Sequence, residues 1–227
     1  MTVSFHEFWR VGRRADPLHV DVRYQGAGRF DDPERLVSIL YGAPVLRTCL
    51  LEFMLPWAPA SGAPTVLQAI LEPTNDEEAI DAARDLRIAA EPRRVPKSLY
   101  ERVAVRVNVE PALALLDLRD VGAREQLAQN AGVSRELQRW GLTQLDRGAL
   151  LSPHRALTQA ITGAVLRGGA LLSPVDGLFA ESRHAGDIVA VFVGEPFAPR
   201  VEIVEIALLT PLHDEIVTVA EELGLVP

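Results

Sequence analysis

Residues 9–52 read WRVGRRADPLHVDVRYQGAGRFDDPERLVSILYGAPVLRTCLLE. Charged and phenolic side chains interrupt apolar runs that predict two strands, at 8–10 and 39–41, and a helix at 44–53. A buried charge without a partner is costly, so these side chains must pair with one another or surround a ligand. The side chains concerned are Arg10, Arg29, Tyr41 and Glu52.

Each of these side chains also has an ordinary structural interpretation. Arg10 and Glu52 can form one ion pair, Arg29 can belong to a solvated turn that runs to Pro33, and Tyr41 can be a plain strand tyrosine. For any one residue alone, that interpretation is favoured. The combination of all four, in this order, favours a ligand site.

The order and spacing resemble the RES domain, a family named for its Arg, Glu and Ser that is similar to the ADP-ribosyltransferase toxins. That family has an early strand arginine, a glycine-preceded arginine, a tyrosine in an apolar strand and a glutamate that ends an apolar run. The matching segments here are WR at 9–10, GRF at 28–30, ILYGAP at 39–44 and CLLE at 49–52.

A second segment, 175–192, reads VDGLFAESRHAGDIVAVF and is similar to another RES motif. It supplies Ser182, Arg183 and His184. The chain departs from the family at Phe30, where tryptophan is usual, and near Gly186, where asparagine is usual. Phenylalanine keeps an aromatic face for stacking but lacks the indole donor. The resemblance covers residues near 5–57 and 150–195.

The resemblance implies a nicotinamide dinucleotide, NAD, as substrate. Arginines bind pyrophosphate through bidentate hydrogen bonds, and a carboxylate beside the ribose stabilises the positive charge that develops when the nicotinamide–ribose bond breaks. The catalytic residues implied are Glu52, Tyr41 and Ser182. The dinucleotide-binding residues implied are Arg10, Arg29, Phe30, Arg183 and His184. Either aromatic residue, Tyr41 or Phe30, can stack on the nicotinamide, and we expect the two motif segments to meet in one basic pocket.

The acceptor of the ribosyl group stays open. Water would make the protein an NAD glycohydrolase, inorganic phosphate a phosphorylase, and a protein side chain an ADP-ribosyltransferase. Cleavage of free NAD by a toxin-like enzyme is favoured. A non-catalytic dinucleotide-binding or immunity module is the alternative from another class. A serine hydrolase that uses Ser182 and His184 is weakly indicated, because no Gly-x-Ser-x-Gly motif is present.

The resemblance also implies a neutralising antitoxin protein as partner. The apolar residues Phe53, Leu55 and Trp57 can meet such a partner or a second copy of the chain. We expect them instead to close the core beneath a proline-rich loop.

Composition limits the class of protein. The 227 residues are 48% hydrophobic, enough for one sizeable domain, which we place at 1–227. A net charge of −8 argues against nucleic acid as a partner. The single Cys49 predicts a buried, unreactive thiol in a reducing compartment. Scattered histidines predict no metal, and the lack of signal-peptide and membrane-span patterns predicts a cytoplasmic protein.

The remaining pattern predicts an α+β fold with mixed, largely antiparallel sheets flanked by helices, as the ADP-ribosyltransferase resemblance also implies. Alternation from Arg102 to Val109 predicts a half-exposed strand. We expect further strands at 66–71, 113–118, 177–180, 188–192 and 201–209. Helices are expected at 76–85, 121–130, 133–140, 152–166 and 210–222, the last two beginning at Ser-Pro and Thr-Pro pairs.

Overall fold

A computed structural model describes residues 2–20, 25–58, 93–167, 174–183, 186–194 and 201–227. The strand expected at 66–71 and the helix expected at 76–85 lie outside these ranges. No helix in the described part of the chain is long and apolar enough to span a membrane.

The described residues form strands and helices in a mixed order. The strands are β1 (Thr2–Arg13), β2 (Ser38–Gly42), β3 (Arg102–Asp117), β4 (Gly177–Glu181), β5 (Asp187–Val193) and β6 (Val201–Leu208). The helices are α1 (Leu46–Met54), α2 (Lys97–Tyr100), α3 (Val121–Ala128), α4 (Ala131–Arg139), α5 (Arg147–Leu151), α6 (Arg155–Arg167) and α7 (Asp214–Glu222), with a 3₁₀ turn at Leu55–Trp57.

The described strands form one six-stranded sheet in the order β1-β3-β4-β5-β2, with β6 beside the first half of β3. The pairs β1–β3, β3–β6, β4–β5 and β2–β5 are antiparallel, and β3–β4 is parallel. This arrangement confirms the predicted α+β class with a largely antiparallel sheet.

The two end strands of the sheet approach each other at one point. The backbone of Trp9 exchanges two hydrogen bonds with Ala43, at 2.7 and 2.9 Å. Gly42 permits this contact, because a Cβ atom there would lie 2.4 Å from Cδ2 of Phe8 and 2.7 Å from the Trp9 carbonyl oxygen. The sheet therefore curls, and Arg10 on β1 comes to lie beside Tyr41 on β2.

Strand β3 differs from the prediction of two strands. It runs without interruption through Pro111, whose peptide bond to Glu110 is cis. The predicted alternation is confirmed in its first half, where Val103, Val105 and Val107 are buried. The break was expected because proline removes a ladder donor, but pairing with β1 continues on both sides of it.

Two predicted helix starts are too early. Helix α6 begins at Arg155, and the Ser152 hydroxyl donates to the Ala149 carbonyl at the end of α5 rather than capping α6. Helix α7 begins at Asp214, because Thr210 and Pro211 form a turn closed by a bond from the His213 amide to the Thr210 carbonyl. Helices α2 and α5 were not expected.

Three apolar clusters flank and fill the curled sheet. One packs helices α3 to α6 on its outer face, around Phe30, Leu116 and Leu157. A second packs α1, α2 and α7 around Leu50. The third lies inside the curl, around Phe8. The first two clusters fix α1 and α6 on either side of the segment that carries Arg29.

The apolar pattern of helix α1 predicts an inner side of Val45, Leu46, Cys49, Leu50 and Phe53, and the structure buries Leu46 and Leu50 but otherwise differs from it. The buried residues of the helix include Thr48, Leu51 and Met54, whereas Val45, expected inside, is 54% exposed. The expectation that Trp57 closes the core is wrong, since its side chain is 47% exposed.

Candidate active site

Arg10 ties three backbone segments together where the sheet curls. Its Nε donates to the Pro17 carbonyl at 2.8 Å, Nη1 to the Tyr41 carbonyl at 2.9 Å and Nη2 to the His19 carbonyl at 3.1 Å. Burial lowers the pKa of Arg10 to about 10, so the guanidinium stays charged at neutral pH. The ordinary interpretation, an ion pair between Arg10 and Glu52, is wrong because the guanidinium nitrogens bind carbonyl oxygens instead.

The turn before β2 is fixed by a phenol and a carboxylate. The Tyr41 hydroxyl donates to Oδ1 of Asp31 at 2.8 Å and accepts from the Phe30 amide at 2.8 Å. Oδ2 of Asp31 accepts from the Gly28 amide at 2.7 Å. Burial and the neighbouring Asp31 carboxylate raise the pKa of Tyr41 well above its usual value. Tyr41 is therefore a neutral phenol that holds the backbone on both sides of Arg29.

Helix α6 holds the same turn from the other side. The Thr158 hydroxyl donates to the Arg29 carbonyl, and the Thr162 hydroxyl donates to the Phe30 carbonyl at 2.9 Å. Nε2 of Gln159 donates to the carbonyls of Gly26 and Gly28, both at 3.0 Å. We call these three side chains the α6 clamp. Sequence reasoning missed them, because polar residues beside an apolar helix face are common on any helix.

The clamped turn projects the Arg29 side chain across the fold. Its Nη1 donates to the Glu181 carbonyl at 3.1 Å, and Nη2 donates to the Leu150 carbonyl at 2.5 Å. Nε is buried and has no hydrogen-bond partner in the described part of the chain. Burial first, and then the neighbouring Arg183 charge, lowers the pKa of Arg29 to about 10. Arg29 thus brings a positive charge to the end of β4, next to Ser182.

Phe30 occupies a different place from the one predicted. Its side chain is 0% exposed and belongs to the cluster around Leu116 and Leu157. The Arg29 guanidinium carbon lies 4.9 Å from the centre of the Phe30 ring. The ring therefore packs against the Arg29 guanidinium. Because it is fully buried, Phe30 cannot stack on nicotinamide in this conformation.

Glu52 and Ser182 meet although they are 130 positions apart. Glu52 lies on the exposed side of α1, and Ser182, which is 5% exposed, follows β4. The Ser182 hydroxyl donates to Oε1 of Glu52. The Ser182 amide donates to the Gly186 carbonyl at 2.9 Å, which closes the connection between β4 and β5.

Gly186 lets this connection pack against α1. Its φ is +71°, and a Cβ atom there would lie 2.5 Å from Oγ1 of Thr48, one helical turn from Glu52. Any other residue would both strain the backbone and push the connection away from the helix. The short distance between Ser182 and Glu52 therefore depends on a glycine outside the expected set of site residues.

Arg183 lies at the edge of the same site. Its side chain is exposed, and Nη2 donates to the Ser152 carbonyl. Desolvation lowers the pKa of Arg183, an effect that the Glu52 carboxylate opposes. His184, also expected here, lies outside the described residues.

These residues surround two adjoining cavities that share Arg10, Gly28 and Tyr41. The Glu52 cavity has a volume of about 370 Å³, and its walls include Arg29, Cys49, Glu52, Phe53 and Arg183. The Arg102 cavity has a volume of about 380 Å³, and its walls include Arg13, His19, Gln25, Asp31 and Arg102. Each volume is typical of a small-molecule site, and together they suit an elongated ligand with two halves.

Electrostatics favour an anion at this place. Arg10, Arg29 and Arg183 line the Glu52 cavity with Glu52 as its one carboxylate among the described residues, in a protein whose net charge is −8. No group of acidic, histidine or cysteine side chains suited to a metal ion occurs in the described part of the chain.

Comparisons with known proteins identify the family of the chain. The model of the RES domain family matches residues 7–213. A chain of the crystal structure "M. tuberculosis MbcT-MbcA toxin-antitoxin complex" superposes with a TM-score of 0.54 at 18% sequence identity, over 99% of this chain and 91% of that one. No curated protein matches. Because the family model spans most of its length, the chain belongs to the RES domain family.

Proposed function

We propose that this protein cleaves NAD between the nicotinamide ring and its ribose, as toxin-like enzymes do. The observation that carries the proposal is the Glu52 carboxylate, held by the Ser182 hydroxyl in a cavity that also contains Arg29 and Arg183. A carboxylate, a hydroxyl and guanidinium groups are the chemistry that a dinucleotide ribosyl transfer requires.

Glu52 is proposed to act on the ribose. As the bond from C1′ to the nicotinamide nitrogen breaks, its electron pair neutralises the pyridinium ring, and positive charge develops on the sugar. A carboxylate oriented beforehand stabilises this charge without having to reorganise. Ser182 leaves one carboxylate oxygen of Glu52 free for the sugar, because its hydroxyl binds the other. No covalent serine intermediate is required.

Arg10, Arg29 and Arg183 are proposed to bind the pyrophosphate. Charge-assisted hydrogen bonds from guanidinium groups to phosphate oxygens are among the strongest polar contacts in proteins. Arg29 lines the Glu52 cavity, where its guanidinium charge is available to an anion. Tyr41 is proposed to position Arg29 rather than to contact the ribose, because its hydroxyl is already engaged on both sides.

The nucleophile is proposed to be a small molecule, water or inorganic phosphate. Attack of its oxygen on C1′ gives ADP-ribose with water, or a ribosyl phosphate with inorganic phosphate. The Arg183 side chain is exposed and lines the Glu52 cavity. This position suits either acceptor, because water and phosphate can both enter from solvent beside it. Transfer to a protein side chain, as in an ADP-ribosyltransferase, is the second candidate.

A protein partner is proposed from the exposed apolar surface beside the cavity. Phe53 lines the Glu52 cavity, and Trp57, one turn further on, is 47% exposed. The structural neighbour comes from a toxin–antitoxin complex. An antitoxin that covers Trp57 would block the cavity mouth. A second copy of this chain is the alternative occupant, and sedimentation of the isolated chain distinguishes a monomer from a homodimer.

Nicotinamide release tests the proposal. Purified protein is incubated with NAD, with and without inorganic phosphate, and the ribosyl product is identified by mass. Release of nicotinamide with ADP-ribose indicates water as acceptor, and a ribosyl phosphate that forms only with phosphate indicates phosphorolysis. Binding of NAD without any nicotinamide release would contradict the proposal and favour a non-catalytic dinucleotide-binding module.

A further inference from the structure

The Arg102 cavity holds more positive charge than a pyrophosphate needs. Arg10 forms the wall that it shares with the Glu52 cavity, and Arg13, His19 and Arg102 line the remainder. A dinucleotide with its nicotinamide ribose at Glu52 would place its pyrophosphate near Arg10 and its adenosine half in the Arg102 cavity. The basic residues there must then face the adenine ribose or its substituents.

In the described part of the chain Arg102 has no carboxylate partner, and Arg10, which lines the same cavity, donates to backbone carbonyls instead. The Arg102 guanidinium carbon lies 5.0 Å from the centre of the Phe53 ring. The positive charge of Arg102 repels that of Arg10. This repulsion lowers the pKa of Arg10 further, although burial has the larger effect. Arg106, four positions along the same strand, instead forms ion pairs with Glu7 at 3.4 Å and Glu205 at 3.0 Å. If the pyrophosphate lies at Arg10, a second anionic group beside Arg102 would compensate the charge of Arg102.

The carboxylates that line the same cavity are buried and already accept hydrogen bonds from the protein, so neither is a free carboxylate placed to bind a ribose diol. Asp31 uses one oxygen for the Tyr41 hydroxyl and the other for the Gly28 amide. Asp32 is 1% exposed and accepts hydrogen bonds from the amides of Glu34, Leu36 and Val37 and from Arg167. In doubly wound dinucleotide-binding folds, a carboxylate on the ribose diol selects the unphosphorylated dinucleotide and an arginine there accommodates a 2′-phosphate, and the same chemistry applies to a phosphate beside Arg102.

We propose that the Arg102 cavity binds a 2′-phosphate on the adenine ribose, so that the protein cleaves the phosphorylated dinucleotide, NADP, at least as efficiently as NAD. This inference rests on the proposed function of the Glu52 cavity. Arg102 is the specificity-determining residue, because it presents an uncompensated guanidinium to the ligand and does not contact the reacting atoms.

Competition between the two dinucleotides tests the inference. The values of kcat/KM for NADP and NAD are measured for the parent, for Arg102→Gln and for Arg106→Gln, a control on the same strand. The parent should prefer NADP, or treat the two substrates equally. Arg102→Gln should lower kcat/KM about tenfold for NADP, because a charged hydrogen bond is lost, and less than about twofold for NAD. Arg106→Gln should leave the ratio unchanged.

A binding experiment separates this inference from the proposed function. Calorimetric titration compares adenosine 2′,5′-bisphosphate with adenosine 5′-monophosphate, neither of which can release nicotinamide. Tighter binding of the bisphosphate, lost in Arg102→Gln, supports the inference even if no dinucleotide is cleaved. Equal binding of the two nucleotides, or a kcat/KM of the parent that is higher for NAD than for NADP, would overturn it while leaving NAD cleavage itself intact.

Discussion

The hydroxyl of Ser182 donates a hydrogen bond to Oε1 of Glu52, across 130 positions of sequence. This bond joins helix α1, where the first group of family motifs ends, to the connection between β4 and β5, which lies within the second motif segment. It fixes the direction of the carboxylate and leaves its second oxygen facing the cavity. In the proposed reaction Ser182 orients the Glu52 carboxylate and does not attack the substrate, so no histidine base is needed.

Replacing Ser182 by alanine should therefore reduce turnover more than binding. Without the hydroxyl, the Glu52 carboxylate loses one charge-assisted hydrogen bond, whose loss reduces kcat about tenfold to a hundredfold. KM for the dinucleotide should change little, because the arginines remain. Steady-state kinetics of nicotinamide release measures both constants, and Ser134→Ala on α4 serves as the control. A rise in KM at constant kcat would instead assign Ser182 to ground-state binding.

The α6 clamp should be needed for activity although it touches no ligand. Gln159→Glu removes the two donors to the Gly26 and Gly28 carbonyls and places a carboxylate against them, so the turn that carries Arg29 shifts. We expect kcat/KM to fall about tenfold, since a displaced arginine loses part of its contact with phosphate. Gln138→Glu, on the exposed side of α4, is the matched control.

A structural role alone would give a different result for the clamp. The free energy of unfolding of Gln159→Glu, measured in urea, should fall by no more than about 3 kcal/mol, so that the protein stays folded, because Thr158 and Thr162 still hold the Arg29 and Phe30 carbonyls while the Gly26 and Gly28 carbonyls move. If the loss of activity merely followed the loss of stability, Gln159 would not be a positioning residue.

Sequence reasoning identified the charged residues of the site through their order along the chain. The structure brings Arg29, Glu52 and Ser182 together, because Arg29 binds the Glu181 carbonyl and the Ser182 hydroxyl binds Glu52. The place of Phe30 was not predictable, since an aromatic residue next to an arginine has the same pattern in a core as beside a ligand. The clamp residues Thr158 and Gln159 gave no signal, because their partners are backbone carbonyls of a distant turn.

The fold was predicted by class better than by boundaries. Alternation identified β3, but Pro111 suggested a break that the neighbouring strand β1 overrides. The Thr210-Pro211 pair has the pattern of a helix start, yet it forms a turn before α7. In both cases local propensity predicted one structure, and contacts with distant segments stabilised another.

Asp32 should stabilise the fold in a pH-dependent way. Burial alone would raise its pKa, but hydrogen bonds from Arg167 and from backbone amides outweigh burial and lower it. Because the folded pKa lies below the unfolded value of about 3.9, the stabilisation is complete above that pH and is lost as pH falls through the folded pKa.

Replacing Asp32 by asparagine should lower the free energy of unfolding at neutral pH by about 2 kcal/mol, since a buried, hydrogen-bonded charge partner of Arg167 is lost. Urea denaturation at several pH values checks this, and the difference from the parent should shrink below about pH 4. The control variant Asp214→Asn, at an exposed position, should lower the free energy of unfolding by less than about 1 kcal/mol. If the difference in free energy of unfolding between Asp32→Asn and the parent grew as the pH fell, Asp32 would not be ionised in the folded protein as we infer.

Cys49 should react slowly in the folded protein. Its thiol donates to the Trp9 carbonyl at 3.2 Å, and burial raises its pKa to about 12. The thiolate fraction at neutral pH is then on the order of a thousandfold below that of a free cysteine. Labelling with a maleimide should therefore be slow in buffer and rapid in urea. Equal rates in the two solutions would show that the thiol is accessible and ionised.

The most direct test of the central claim is the rate of nicotinamide release by Glu52→Gln. Glutamine keeps the size of the side chain and part of its hydrogen bonding but removes the charge that the transition state requires. We expect kcat to fall on the order of a hundredfold to a thousandfold while dinucleotide binding is largely retained. Arg29→Ala, for comparison, should weaken binding of the dinucleotide. Release at the parent rate by Glu52→Gln would contradict the assignment of Glu52 as the catalytic carboxylate.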